Sequence, residues 1–220
     1  MNASKFLAAA LLAAVGANAH AQALSARAGT NGLGAEVGVG FAPMLGLRAQ
    51  LASGSYERDE VQSNINYAGK LKLSNGALLL DLHPFTGAFR LSTGLVYNNN
   101  QLDATGRGDS GSIEINGISY PASSVGTLQA TVRWDKASPY LGFGWGTRPQ
   151  GSGGIFLSAD LGAFYQKPTA SLTGQCGPSL PTFACDQLQS DIRAEERQFQ
   201  DEVNKYKLYP VLNVGVGYRF

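Results

Sequence analysis

A strict every-other-residue alternation, repeated along the chain, limits its fold more than any other feature. Leu212, Val214, Val216, Tyr218 and Phe220 share one side of an extended segment, and Asn213, Gly215, Gly217 and Arg219 share the other. Successive side chains of a β-strand point to opposite faces, so the pattern specifies a strand with one apolar and one polar side. The same spacing runs through Leu33, Ala35, Val37, Val39 and Phe41, and resumes after Ala42-Pro43-Met44 in Leu45, Leu47, Ala49 and Leu51. It recurs in Phe89, Leu91, Thr93, Leu95 and Tyr97, in Leu128, Ala130, Val132 and Trp134, in Leu141, Phe143 and Trp145, and in Ile155, Leu157, Ala159, Leu161 and Ala163. One match could be accidental; a series of this length specifies an all-β, antiparallel architecture.

The amino-terminal segment reads differently. Lys5 precedes an apolar run from Phe6 to Val15, and Ala19-His20-Ala21 supplies a small-x-small cleavage site before Gln22. This predicts a secretory signal peptide over residues 1–21 and a mature domain over 22–220, because the run is too short to span a bilayer. No other segment has the roughly 20 apolar residues of a transmembrane helix. A membrane protein without one must be a closed barrel, since only helices and barrels satisfy every backbone polar group in lipid.

The residues opposite the apolar faces separate that barrel from a soluble sandwich. A sandwich turns its polar face to water and favours long solvated side chains there. In this chain that face mixes glycine with isolated charges: Glu36, Arg48, Lys70, Lys72, Asp81, Arg90, Arg133, Asp160 and Arg219. Small residues beside opposed charges suit the crowded lumen of a narrow barrel, and all nine are expected to point into it. Tyr67, Phe85, Tyr97, Trp134, Tyr140, Trp145, Tyr209 and Phe220 sit near strand ends, as interfacial aromatic girdles require.

Strand number follows less directly. Between Ile65 and His83 the apolar phase changes at Asn75-Gly76, which fits a β-bulge in one long strand or a type I′ hairpin turn. Short turns are expected around Pro43, at Pro84-Phe85-Thr86-Gly87 and at Lys136-Ala137-Ser138, and longer outward stretches at Ser53 to Asn64 and Asp103 to Val125. Residues Ile113 to Ile118 read as a small hairpin above the membrane. That orientation requires an early upward strand, Leu24 to Ala28, and then one near Thr169 to Thr173; the count is eight to ten.

One region breaks the alternation. Within an insert over residues 166–205, Leu188, Ile192, Phe199, Val203 and Tyr206 make a stripe at helical spacing, so an amphipathic helix from Asp186 to Lys205 is expected before the last strand, capped by Asp186. Cys176 and Cys185 are close in sequence in a chain marked for export, which makes a disulfide the default. Two thiolates with no histidine nearby do not complete a zinc site, and near-neutral charge gives no signature for nucleic acid.

No catalytic set is apparent. His83 is the one histidine of the mature chain, it precedes Pro84 at a turn, and an Asp81–Arg90 pair beside it is the simpler structural account. Gly142-Phe143-Gly144-Trp145-Gly146 lacks the Lys-Ser/Thr of a phosphate loop. The segments Pro139-Tyr140-Leu141-Gly142-Phe143-Gly144, His83-Pro84-Phe85 with Phe89-Arg90-Leu91-Ser92, and Gly217-Tyr218-Arg219-Phe220 resemble OmpA-type small outer-membrane β-barrels of Gram-negative bacteria. The resemblance implies residence in the cell outer membrane after export through the periplasm, among outer-membrane lipids and lipopolysaccharide. It also implies recognition of Tyr218 and Phe220 by the barrel-assembly machinery. A non-enzymatic, cofactor-free role in envelope structure or surface interaction is expected; a narrow channel or small-ligand-binding barrel is the alternative, and a lipid-A-modifying enzyme a more distant one.

Overall fold

The computed structural model describes residues 22–62, 65–108, 111–146, 152–177 and 180–220. The expected signal peptide lies outside the described residues. Among the described residues, thirteen strands and one long helix follow in the order β1 (Gln22–Gly29), β2 (Gly32–Ala42), β3 (Leu45–Gln62), β4 (Ile65–Leu82), β5 (Phe89–Asn98), β6 (Gln101–Gly108), β7 (Ser112–Ile115), β8 (Ile118–Pro121), β9 (Val125–Trp134), β10 (Ala137–Trp145), β11 (Gly154–Tyr165), β12 (Pro168–Cys176), α1 (Thr182–Val203) and β13 (Leu208–Arg219).

Antiparallel pairing runs β1–β2–β3–β4–β5–β10–β11–β13 and returns to β1, so eight strands form a ring. Ala26 on β1, for example, lies opposite Ala35 on β2 and Val216 on β13. A ring has no edge, and each of its strands is flanked by two others. Apolar residues of the alternating segments face outward: Leu95 is 62% exposed, Leu141 71%, Leu157 77% and Ile155 81%. Burial of this kind is the inverse of a soluble protein's, in which large apolar side chains go inside.

The longest hairpin, β3–β4, does two jobs. Residues 75–82 of β4 pair with β5 and complete the ring, whereas residues 65–72 pair with β6. Beyond the ring a sheet continues as β3–β4–β6–β9–β12. This corrects the reading of Asn75-Gly76. The β3–β4 register is unbroken from Leu45↔Leu82 to Gln62↔Ile65, so the site is neither a bulge nor a hairpin turn. The apolar phase changes because the strand leaves the ring, and the side that faced the lumen becomes the packed side of the upper sheet. Ser53 to Gln62, expected as loop, is strand for the same reason.

Strand parity resolves with it. The segment Leu128–Trp134 belongs to β9 and Thr169–Thr173 to β12, both in the upper sheet, so ten ring strands are not needed. β11 therefore runs away from the short turns, antiparallel to β10 and β13. The link at Lys136 joins the upper sheet to β10 and does not turn at the lower end. The expected early strand is present as β1. The links at Pro43-Met44 and at residues 83–88 lie at the end where β1 begins and β13 finishes, and the larger elements lie at the other.

The upper sheet has its own core. Ile113, Ile115, Ala122, Val125, Leu172, Leu188 and Ile192 pack together, with Tyr120, Leu128 and Leu180 against them. β7 and β8 form the expected hairpin around Asn116 (φ 53°) and Gly117 (φ 73°), the left-handed pair that a two-residue type I′ turn requires. Helix α1 starts four residues earlier than its periodicity suggests, at Thr182 after Pro181, and Asp186 is not its cap. Leu188 and Ile192 of the stripe are buried, while Tyr206 lies past the helix end and is exposed. Cys176 at the end of β12 is bonded to Cys185 on α1.

This helix also finishes the sheet. The Ala170 N–H donates to Gln200 Oε1 (2.8 Å), Gln200 Nε2 donates to the Pro168 carbonyl (3.1 Å) and Gln189 Nε2 to the Gly174 carbonyl (2.9 Å). Side chains of α1 thus satisfy the free edge of β12, which would otherwise offer unpaired backbone groups to another strand.

The face assignment has a direct test. Val214 is exposed on the ring and Asn213 is buried in the lumen. Val214→Arg places a charge on the outer face, at a cost of about 2–4 kcal/mol near a bilayer midplane, and should lower the yield of heat-modifiable folded barrel. Asn213→Ser should fold at wild-type yield in the same gel assay.

Candidate functional site

Narrow barrels of eight strands have interiors that side chains can fill. Here the filling is layered. Toward the end with the short turns, Arg27, Arg48 and Arg90 interleave with Glu36, Asp81 and Asp160, each buried. Arg48 reaches Glu36 (Nη1–Oε2, 2.8 Å), Asp81 (Nη2–Oδ1, 2.9 Å) and Ser92 Oγ (2.9 Å). Arg90, only 1% exposed, donates to both Asp160 oxygens at 2.8 and 3.0 Å, and Arg27 bridges Glu36 and Asp160. Ser92 donates to Asp81 at 2.6 Å and Gln50 Nε2 to Glu36 at 2.7 Å. Three guanidinium groups balance three carboxylates, so the network carries no net formal charge. Buried ions persist where every charge is paired and hydrogen-bonded.

Above the ions sits an apolar layer of Leu79, Val96, Tyr140, Phe164 and Val211, with Tyr209 stacked on Phe164 at 4.8 Å between ring centroids. Tyr140 rests against Gly142 and Gly162, which face each other across β10 and β11; a Cβ at either position would run into its hydroxyl. A cavity of ≈ 20 Å³ lies in the upper lumen among Arg27, Gln50, Asn75, Tyr140 and Asn213. That is room for one or two water molecules.

The nine residues expected in the lumen divide. Glu36, Arg48, Asp81, Arg90, Asp160 and Arg219 are buried there. Lys70, Lys72 and Arg133 are not, and this is a correction: they lie on the exposed face of the upper sheet, because β9 and residues 65–72 of β4 are outside the ring. The expected Asp81–Arg90 pair also gives way. Asp81 pairs with Arg48, and Arg90 reaches across to Asp160. Two of the expected girdle aromatics, Tyr140 and Tyr209, belong to the lumen layer. Phe85, Phe89, Phe143 and Trp145 form an outer cluster near the short turns, with Phe89 and Trp145 5.4 Å apart. Arg27 is the lumen cation that the sequence reading omits. Leu24, Ala26 and Ala28 on one face of β1 imply it on the other.

The exposed face of the upper sheet is ordered into rows by register. One row is Ser55–Lys72–Gln101–Arg133–Thr169, and the next is Glu57–Lys70–Asp103–Thr131–Ser171. Lys70 pairs with Glu57, Gln101 Nε2 donates to Asp103 (2.7 Å) and Thr131 Oγ1 to Asp103 (3.1 Å). Lys72 lies 3.9 Å from Asp103, and Arg133 has no ion-pair partner among the described residues.

On the opposite side, Asp191 of α1 ties the helix to the β7–β8 hairpin. It accepts from the Tyr120 hydroxyl, from Gln187 Nε2 (3.1 Å) and from Asn116 Nδ2 (3.1 Å), while Glu195 accepts the Asn116 N–H (2.9 Å). Hydrogen bonds from Tyr120, Gln187 and Asn116 hold the Asp191 carboxyl below its ordinary range, and the Tyr120 phenol is pushed up to about 12, mainly by the bond to Asp191.

No family model matches the chain, and no curated protein sequence matches it. Solved structures similar to it include two from one organism. Acinetobacter baumannii CarO2 is 22% identical, with a TM-score of 0.59, covering 93% of this chain and 100% of that one. Acinetobacter baumannii CarO is also 22% identical, with a TM-score of 0.55 and coverage of 90% and 97%. At this identity the likeness concerns the fold: an antiparallel outer-membrane-type β-barrel with one helix before the last strand.

Two measurements check the layered interior and its upper attachment. Arg48→Met leaves Glu36 and Asp81 without their shared cation, and loss of one partner from a buried ion network costs about 3–5 kcal/mol. The urea midpoint of the refolded barrel should fall accordingly, whereas Arg133→Met should leave it unchanged. Because the folded Asp191 pKa is depressed, its contribution is present above the unfolded value and is lost as pH falls through the folded one. Amide protection in α1, taken relative to the intrinsic exchange rate at each pH, should therefore fall in acid below the ordinary carboxylate range, and Asp191→Asn should flatten that dependence.

Proposed function

We propose that this chain is an integral outer-membrane protein whose barrel is sealed and whose working surface is the β/α unit at its outer end. It acts as a structural or surface-interaction element of the envelope. The observation that carries this reading is the inversion of the ring: its wall is apolar outward, and its middle holds a charge-balanced ion network below a layer of Leu79, Val96, Phe164 and Val211. Water cannot solvate such a wall without a large penalty, but hydrocarbon can. Short links at one end and long elements at the other follow the polarity of outer-membrane barrels, with the short ones periplasmic.

The eight-strand ring supports kinship with OmpA-type barrels. Tyr218 and Phe220, exposed and in edge-to-face contact at 5.2 Å, are available to the assembly machinery from the periplasmic end. His83 serves the lower turn: its backbone N–H donates to the Met44 carbonyl (2.7 Å) and its Nδ1 lies 3.0 Å from the Gly87 carbonyl. This geometry supports a turn-holding role.

Planar-bilayer recording tests the seal. Purified barrel should insert and leave the baseline conductance unchanged; reproducible single-channel steps would replace this reading with that of a narrow channel.

A further inference from the structure

Three of the cations that the alternation suggests for the lumen come together outside it, and their position relative to the bilayer indicates what they meet. The outward face of β4 carries Leu82, Leu80 and Leu78 in the ring, then Gly76, Ser74, Lys72 and Lys70. Because no register shift interrupts β4 against β3, these residues share one side of a single strand. The exposed face of the upper sheet is therefore an upward continuation of the lipid-facing wall. The apolar band of this wall ends at the row Leu51–Gly76–Tyr97. The row that holds Lys72 and Arg133 is four residues farther along, roughly 14 Å of strand, or about 10 Å of height at barrel tilt.

With the apolar band in hydrocarbon, that height falls in the headgroup layer of the outer leaflet. The row presents a polar strip across four strands: Lys72, Gln101 (its Nε2 held by Asp103 and its carbonyl an acceptor), Arg133 and Thr169, with Ser171 in the row above. Lys70 is already neutralised by Glu57, and Lys72 is held only loosely by Asp103. Arg133 presents a planar fork suited to bidentate contact with phosphate oxygens. Ser, Thr and Gln side chains both donate and accept, which suits sugar hydroxyls.

We propose that this face binds the phosphorylated saccharide headgroup of the outer-leaflet glycolipid. Lys72 and Arg133 hold the phosphate, and Gln101, Thr169 and Ser171 contact the sugar. The inference rests on the outer-membrane reading above and adds a lipid partner to it. The bound glycolipid spans the boundary between barrel and upper sheet, so it braces the two against each other.

The test uses the whole mature chain, disulfide intact, refolded into nanodiscs of zwitterionic phosphatidylcholine. The probe is a bisphosphorylated lipid A bearing inner-core sugars, with its dephosphorylated form as a second arm. Wild type should bind the phosphorylated probe, and the double variant Lys72→Gln/Arg133→Gln should bind it roughly 10- to 100-fold more weakly, the loss expected for removing charged hydrogen bonds. Lys205→Gln/Lys207→Gln, on the link after α1, should match wild type. Removing the probe's phosphates should weaken wild type and leave the double variant little changed. Equal binding by all three proteins, or no binding by a wild type that has inserted and folded, overturns the proposal while the barrel reading stands. Failure of every form to enter the bilayer overturns the outer-membrane reading itself.

Discussion

Satisfying backbone polar groups without water is the constraint on which the rest of this structure depends. In hydrocarbon each strand must give its N–H and C=O groups to neighbours on both sides, and a sheet meets that demand only by closing. The β1–β13 pairing brings the two ends of the described ring together, and β4 makes closure possible by dividing its length between two neighbours. Closure at eight strands leaves an interior that side chains can fill. The polar side of every ring strand must then be matched by the polar side of the strands facing it. Arg27, Arg48 and Arg90 meet Glu36, Asp81 and Asp160 for this reason, although members of the network lie up to 133 residues apart in sequence.

The upper unit solves a different problem with the same strands. Once β4 passes the membrane boundary, its lumen-side residues lack an opposite wall, so they need a cover of their own. The β7–β8 hairpin and α1 supply it, with Leu188 and Ile192 against Leu172 and Ile113. The disulfide fixes the start of α1 to the end of β12, and glutamines of the helix stand in for a missing strand. The result is a small water-facing core joined to an inverted barrel through one continuous hairpin.

Much of the ring was legible because alternation is a local property. Leu141, Leu157 and Val214 point outward as their spacing indicates, and Glu36, Arg48 and Asp160 point inward. Pairing was not legible, because register is set by partners distant in sequence. Nothing local to Arg133 distinguishes a strand of the ring from a strand of the upper sheet, since β9 alternates as cleanly as β10. Lys70 and Lys72 had the same ambiguity, sharpened by the phase change at Asn75-Gly76, which marks the place where β4 exchanges neighbours. Asp81 and Arg90 looked like natural partners across a short turn, but the register sets Asp81 opposite Ser92 and leaves Arg90 to reach Asp160. The helix was visible in its stripe, yet its true start at Thr182 was hidden, because Pro181 ends the preceding segment without offering a capping side chain.

The account stands on the outer wall being solvated by lipid. Spin labels at Leu141→Cys, Leu157→Cys and Lys72→Cys, in protein refolded into bilayers with its native disulfide intact, report this by their collision rates with oxygen and with a water-soluble nickel chelate. Labels at 141 and 157 should collide with oxygen and be shielded from nickel, while the label at 72 should be reached by nickel. Nickel access at 141 and 157 equal to that at 72 would place the apolar wall in water and contradict the inverted barrel.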